Sequence, residues 1–201
     1  MPLRLRFPYL YTAALVMSLS AGLPATILAA RDAPVAFSSI RIDNFGQVSR
    51  TYFRGAQPHG QDYASLAALG VKTVIDLTDG DGQPGEKAMV ERSGMRYVRI
   101  PMNTHESVSN AKVTQFLTIV DDATSQPVYV HCVGGKHRTG VMTAIYRMTN
   151  EGWTADKAFA EMKQYKFGAD FLHPEFKQVV YSYRPRVNGM PALVTATKAG
   201  S

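Results

Sequence analysis

The chain has 201 residues, 45% of them hydrophobic, with 22 basic against 16 acidic side chains and a formal net charge of +6. That is enough chain for one well-packed core, and no repeat, low-complexity run, basic-aromatic stripe or nucleic-acid-binding module accompanies the positive charge, so a nucleic-acid partner is not expected. The single cysteine, Cys132, excludes an internal disulfide.

Residues 1–30 differ from the rest. Arg4 and Arg6 precede an apolar run over 7–21, small residues follow at Ala25, Ala29 and Ala30, and no acidic residue comes before Asp32. This is the layout of a secretory signal, with cleavage expected near Ala30 and export to a periplasm or beyond. The alternative is an uncleaved anchor: the stretch 7–30 reaches the ~20 residues a bilayer needs, although Pro8, Gly22 and Pro24 interrupt it. A membrane partner is expected only in that case. Loss of Arg4 and Arg6 with the leader lowers the formal charge to about +4, a modest bias that suits an anionic substrate. In an oxidising compartment a free thiol is a liability unless it has a task.

After the leader, residues 31–43 read as an irregular lead-in with one short strand over 40–42, and irregular chain continues to Arg50. A strand over 51–54 ends at Gly55 and Pro58. Asp62 is expected to cap a short helix whose Tyr63, Leu66 and Leu69 share a face, with Gly70 as its stop. Residues 71–77 form a buried strand that opens into the acidic loop 78–82. A helix over 86–92 closes at Gly94, and a strand over 97–100 leads into the loop 101–109. Ser109 or Asn110 caps a helix with Val113, Phe116, Leu117 and Val120 on one face. A strand over 127–130 and an apolar helix over 141–148 follow. Thr154 caps a helix over 155–165 with Phe159 and Met162 inward, and Pro174 opens a last helix carrying Phe176, Val179 and Val180. The tail, 185–201, has no periodicity and is expected to be disordered. Strands alternating with helices imply an α/β fold, a mainly parallel central sheet flanked by helices, whose ligands sit at the carboxyl ends of the strands.

The stretch His131-Cys132-Val133-Gly134-Gly135-Lys136-His137-Arg138-Thr139-Gly140 falls at such an end, between strand and helix. Gly134 and Gly135 let the backbone turn tightly and aim successive N–H groups into the concave side, which with the following helix N-terminus makes an anion site. Arg138 adds a bidentate fork for two phosphate oxygens. The same positive potential favours the thiolate of Cys132, so a nucleophile sits under a phosphate cradle. A Walker loop is excluded because the G-x4-G-K-[ST] spacing is absent.

The pattern H-C-x5-R-T-G resembles the signature loop of the cysteine-dependent protein tyrosine phosphatase superfamily, and 135–140 look most like the plant and fungal atypical dual-specificity phosphatases. Asn44-Phe45-Gly46-Gln47-Val48, Tyr52-Phe53-Arg54-Gly55-Ala56-Gln57-Pro58 and Leu69-Gly70-Val71-Lys72-Thr73-Val74-Ile75-Asp76-Leu77 carry the likeness further. It extends from about Asn44 to Tyr183, a phosphatase domain over 44–184. A rhodanese-like sulfurtransferase also uses a cysteine loop but does not end in Arg-Thr-Gly.

The resemblance implies metal-independent hydrolysis of phosphate monoesters, with no cofactor and no metal site. Cys132 would attack phosphorus to give a phosphocysteine that water hydrolyses. Arg138 and the N–H groups of Val133, Gly134, Gly135, Lys136, His137 and Arg138 would hold the equatorial oxygens. His131, on the opposite strand face, would brace the loop. Thr139 would donate to the sulfur or cap the helix, and Lys136 and His137 would meet further phosphates or remain solvated, as would Lys163 and Lys166. The dual-specificity pattern implies an aspartate in the loop 101–109, which has none. Glu106 is the first candidate, since its loop follows the strand expected beside the catalytic one; His105, Asp79 and Asp81 are the others. A phosphoanhydride has a leaving group that needs an acid less, so the substrate class stays open between phosphoproteins and multiply phosphorylated small molecules such as inositol pyrophosphates or phosphoinositide head groups. A catalytically silent phosphate-binding module is the non-enzymatic reading.

Overall fold

A computed structural model of the chain describes residues 40–185 and 193–194. The expected signal peptide, most of the lead-in, and the tail other than 185 and 193–194 lie outside the described residues. Among the described residues no helix is long and apolar enough to cross a membrane.

Five short strands rich in β-branched and aromatic residues pair into one sheet: β1 (Gly46–Ser49), β2 (Tyr52–Gly55), β3 (Thr73–Asp76), β4 (Arg96–Arg99) and β5 (Val128–His131), in the order β1-β2-β5-β3-β4. Only the edge pair β1/β2 is antiparallel; β5 runs parallel to both β2 and β3, and β4 parallel to β3. The fold is therefore the mainly parallel α/β sheet that the alternating elements imply. Register aligns Gly55 and Asp76 with His131 on either side. Three loops thus leave the carboxyl end of the sheet at one level, and the central one begins with Cys132.

Side chains alternate across this sheet with a period of two. Tyr52, Ile75, Val128 and Val130 face a large core with α3 (Asn110–Asp121), α4 (Arg138–Asn150), α5 (Ala155–Gln164) and α6 (Pro174–Ser182). Phe53, Val74 and Tyr129 face a smaller core with α1 (Asp62–Ala68) and α2 (Glu86–Arg92). Each helix presents the stripe its spacing predicts, including Val113, Phe116, Leu117 and Val120 on α3 and Phe176, Val179 and Val180 on α6. Ser109 and Thr154 are the expected caps: their hydroxyls accept from the backbone N–H of Lys112 and of Lys157. α4 is buried from Arg138 to Met148. Where it carries a charge inward, at Arg147, the guanidinium is saturated: it donates to Glu161, Glu151 and the Val48 carbonyl and stacks 4.4 Å over the Trp153 ring. A partly sealed charge requires such complete partnering.

The structure departs from the sequence expectations in several places. Residues 40–42 form no strand; the strand is β1, a few residues later, where the reading saw irregular chain, and it bulges between Gln47 and Ser49 as short edge strands do. Asp62 does not cap α1 but is its first residue, its carboxylate accepting from the His59 N–H at 2.8 Å. α4 starts at Arg138, earlier than 141, so the arginine itself opens the helix. A 3-10 turn at Asp170–Leu172 was not expected. β6 (Tyr183–Arg184) pairs antiparallel with β7 (Leu193–Val194) inside the segment read as tail.

Candidate active site

The loop that begins at Cys132 owes its shape to backbone contacts. Gly135 has φ +64°, and a Cβ there would lie 2.4 Å from the Gly55 carbonyl atoms and 2.6 Å from the Ala56 nitrogen; this approach of two backbones demands glycine. Gly134 is under no such constraint, since its Cβ would meet only the Lys136 side chain at 3.6 Å. The loop's carbonyls are pulled outward. Arg54 Nη2 donates to Gly135 O at 2.7 Å, Asn44 Nδ2 donates to the same oxygen at 2.9 Å, and the Gln57 N–H donates to Val133 O at 3.1 Å. None of the N–H groups of 133–139 donates to another described residue. They remain available to an anion, next to the N-terminus of α4.

Cys132 is 3% exposed at the end of β5, within electrostatic range of the Arg138 guanidinium, which reaches across to Asp81. The Arg138 fork is engaged by Asp81: Nη1 donates to Oδ1 at 2.9 Å and Nη2 to Oδ2 at 2.7 Å. Nη1 also donates to Met102 O at 3.3 Å. The two bonds from Arg138 hold the Asp81 carboxyl down at about 2. Beneath the loop, Arg54 is fully buried, with its guanidinium 3.9 Å over the Tyr165 ring and its pKa lowered by burial.

The other expected residues divide. His131 points to the opposite face, as alternation requires, with its ring stacked on Tyr129 and Nε2 3.0 Å from Glu86 Oε1. That contact is close but off line for a hydrogen bond, and both ring nitrogens remain without a hydrogen-bond partner among the described residues. The bond from Thr139 to sulfur is not present: its buried hydroxyl makes no hydrogen bond to a described residue. His137 is committed elsewhere, donating from Nε2 to the Phe167 carbonyl at 2.9 Å with its ring 3.9 Å from that of His173. Burial and then His173 lower its pKa. Lys136 is exposed at the rim, while Lys163 is paired with Asp170. Glu106 is exposed and accepts from Asn103 Nδ2 at 3.3 Å. The strand before its loop, β4, is not a neighbour of β5; β3 is, and the loop after β3 brings Asp81 to Arg138.

Two groups place donor atoms within 4.8 Å of one another in the manner of metal ligands, His105–His173–Glu175 and Asp76–Glu86–His131. Neither includes Cys132 or Arg138. Asp76 already accepts from the Thr78 N–H, the Thr78 hydroxyl and Tyr97 OH, and His173 Nδ1 donates to Thr104 O. The roles of Arg54, Asn44 and Gln57 were not visible in the sequence, although all three lie in the quoted motifs. Gly135→Ala should lower affinity for inorganic phosphate by roughly tenfold or more, the range expected for left-handed strain at a non-glycine residue, whereas Gly134→Ala should leave it near normal. Isothermal titration of both variants makes the comparison, and equal losses would mean that the Gly135–Gly55 approach does not shape the cradle.

With that geometry in place, the chain can be set beside known proteins. The dual specificity protein phosphatase TpbA of Pseudomonas aeruginosa is 33% identical over 126 residues, 62% of this chain and 56% of its own length. The inositol diphosphatase DSP2 of Oryza sativa subsp. japonica is 24% identical over 126 residues, 61% of each chain. The chain thus spans little more than half the length of these two relatives. Among solved structures, P. aeruginosa TpbA in complex with phosphotyrosine superposes with a TM-score of 0.59 at 29% identity, covering 68% of this chain and 82% of the other. The family model described as DSP-PTPase phosphatase fused to NAD+ kinase matches residues 25–178, well over half of the sequence, and the chain belongs to that DSP-PTPase family.

Proposed function

We propose that this protein is a metal-independent cysteine phosphatase that hydrolyses phosphate monoesters through a phosphocysteine at Cys132. The observation that carries the reading is that Cys132 begins a loop whose N–H groups bond to no other described residue and that ends at Arg138, the first residue of α4. The thiolate attacks phosphorus in line while the loop N–H groups and Arg138 take the charge of the three equatorial oxygens. The leaving oxygen departs with a proton, and water then cleaves the P–S bond. His131 lies on the far face of the strand, with Glu86 beside it.

The named activities of the relatives support a phosphorylated substrate of one of two kinds: phosphotyrosine, as in the TpbA complex, or an inositol diphosphate, as for DSP2. The apolar leader with Arg4 and Arg6 before it supports export. N-terminal sequencing of exported material should begin close to Arg31, and a mature chain that still starts at Met1 would replace export by anchoring.

Para-nitrophenyl phosphate should be turned over without added metal. Cys132→Ser should abolish turnover while keeping phosphate binding, and Arg138→Lys should fail as well, because a point charge cannot replace the planar fork. Retained activity in the serine variant would rule out the phosphocysteine route, and absence of turnover by the unmodified protein on phosphopeptides, inositol polyphosphates and para-nitrophenyl phosphate alike would leave a phosphate-binding module.

A further inference from the structure

Two loops end beside the Arg138 fork, but only one sends a carboxylate into it. Asp81 takes both terminal nitrogens with its two oxygens, at 2.9 and 2.7 Å, and the Asp79 N–H donates to the same carboxylate at 2.9 Å. This is the arrangement a phosphoryl group needs, two oxygens side by side against a planar fork. Arg138 keeps one other edge, Nε with the second N–H of Nη2, where Nε is buried and without a hydrogen-bond partner among the described residues. The terminal edge is held by Asp81, and a phosphoryl group reaches it only by displacing that carboxylate.

The segment carrying Asp81 has the means to yield. Gly80 and Gly85 sit on either side of it at φ +85° and +78°, and a Cβ at either would meet nothing within 4 Å. Behind the segment lies a cleft of about 360 Å³ lined by Gly80, Gly82, Gln83, Tyr97 and Arg99. The Asp81 side chain is itself half exposed. Small residues at both ends of a short loop are the usual hinge of such a movement.

Resting on the phosphatase reading above, the geometry points to Asp81 as a mobile carboxylate with two stations: it closes the Arg138 fork until a phosphoryl group displaces it, and once displaced it is the general acid at the leaving-group oxygen. The displacement also supplies the chemistry. Paired with Arg138, the carboxyl is held at about 2 and is an anion with no proton to give. Parted from the guanidinium and set beside a phosphate dianion, it is pushed upward and takes a proton from solvent. As the sulfur–phosphorus bond forms and the phosphorus–oxygen bond breaks, that proton passes to the leaving oxygen and Asp81 becomes a carboxylate. It then removes a proton from the water that attacks phosphorus, the P–S bond breaks, and inorganic phosphate leaves with the Cys132 thiolate restored. Asp81 releases its proton to solvent as it returns to Arg138. Its loop follows β3, the strand hydrogen-bonded to β5 with Asp76 opposite His131, so it starts one strand from the nucleophile.

The test uses Asp81→Asn in two settings. In the full-length Cys132→Ser protein, where no turnover intervenes, isothermal titration with inorganic phosphate should show Asp81→Asn binding about tenfold tighter or more, because the fork is no longer occupied by a competitor. In the protein with Cys132 intact, Asp81→Asn should lose roughly 10²–10⁴-fold in kcat on an alkyl phosphate and little or nothing on para-nitrophenyl phosphate. Unchanged or weaker phosphate binding would overturn the closing role. An equal loss on both substrates, or no loss on either, would overturn the acid role. If the unmodified protein turned over neither substrate, the phosphatase reading and the acid role would fall together, and tighter phosphate binding by Asp81→Asn would still establish Asp81 as the competitor.

Discussion

A loop can present its N–H groups to one side only if its carbonyls are held on the other, and in this chain that pull is exerted on Gly135. Its oxygen receives Arg54 Nη2 and Asn44 Nδ2 at 2.7 and 2.9 Å, and its Cα lies so close to the Gly55 backbone that no side chain fits. A hydrogen bond to a charged donor contributes about 1.5–3 kcal/mol when its partner would otherwise be left bare. Arg54 is a costly residue in that position: it is fully buried, its Nε and Nη1 find no hydrogen bond among the described residues, and its pKa is lowered by burial. The Gly135 carbonyl and the face of Tyr165 offset part of that cost. The β1/β2 hairpin and the end of α5 are thus tied to the catalytic loop by one side chain.

The same arrangement sorts charge across the sheet. Arg54 and Arg138 both lie on the side of Cys132, each close enough to interact electrostatically with its sulfur. One residue earlier the strand period turns His131 to the other face, where it meets Glu86 and, through the β3 register, Asp76. Acidic groups that would repel a phosphate are thereby kept behind the strand. Asp81 differs in being bonded to the group a phosphate requires.

The catalytic loop was legible in the sequence because its requirements are local. A cysteine after an apolar strand, a glycine for the turn and an arginine before an apolar helix appear in ten consecutive residues, and Gly135 makes the tight turn its position implied. The helices were legible for the same reason, since a stripe such as Val113, Phe116, Leu117 and Val120 is written into a single turn-by-turn pattern. What was not legible depends on register between distant strands. The order β5-β3-β4 puts the strand before Asp81 next to that of Cys132 and the strand before Glu106 one further away, and no local pattern states that order. Arg54 read as one residue of a motif, because its role rests on a carbonyl 81 residues away. β1 escaped notice since an edge strand of four residues with a bulge has neither the length nor the alternation to stand out.

The covalent step is the centre of this account and can be observed directly. Rapid acid quenching during steady-state turnover of para-nitrophenyl phosphate, followed by peptide mass spectrometry, should find a phosphoryl group on the peptide containing Cys132, and Cys132→Ser protein treated identically should show none. A protein that turns the substrate over rapidly yet never carries phosphate on that peptide, even when release of inorganic phosphate is slowed, would contradict the phosphocysteine mechanism.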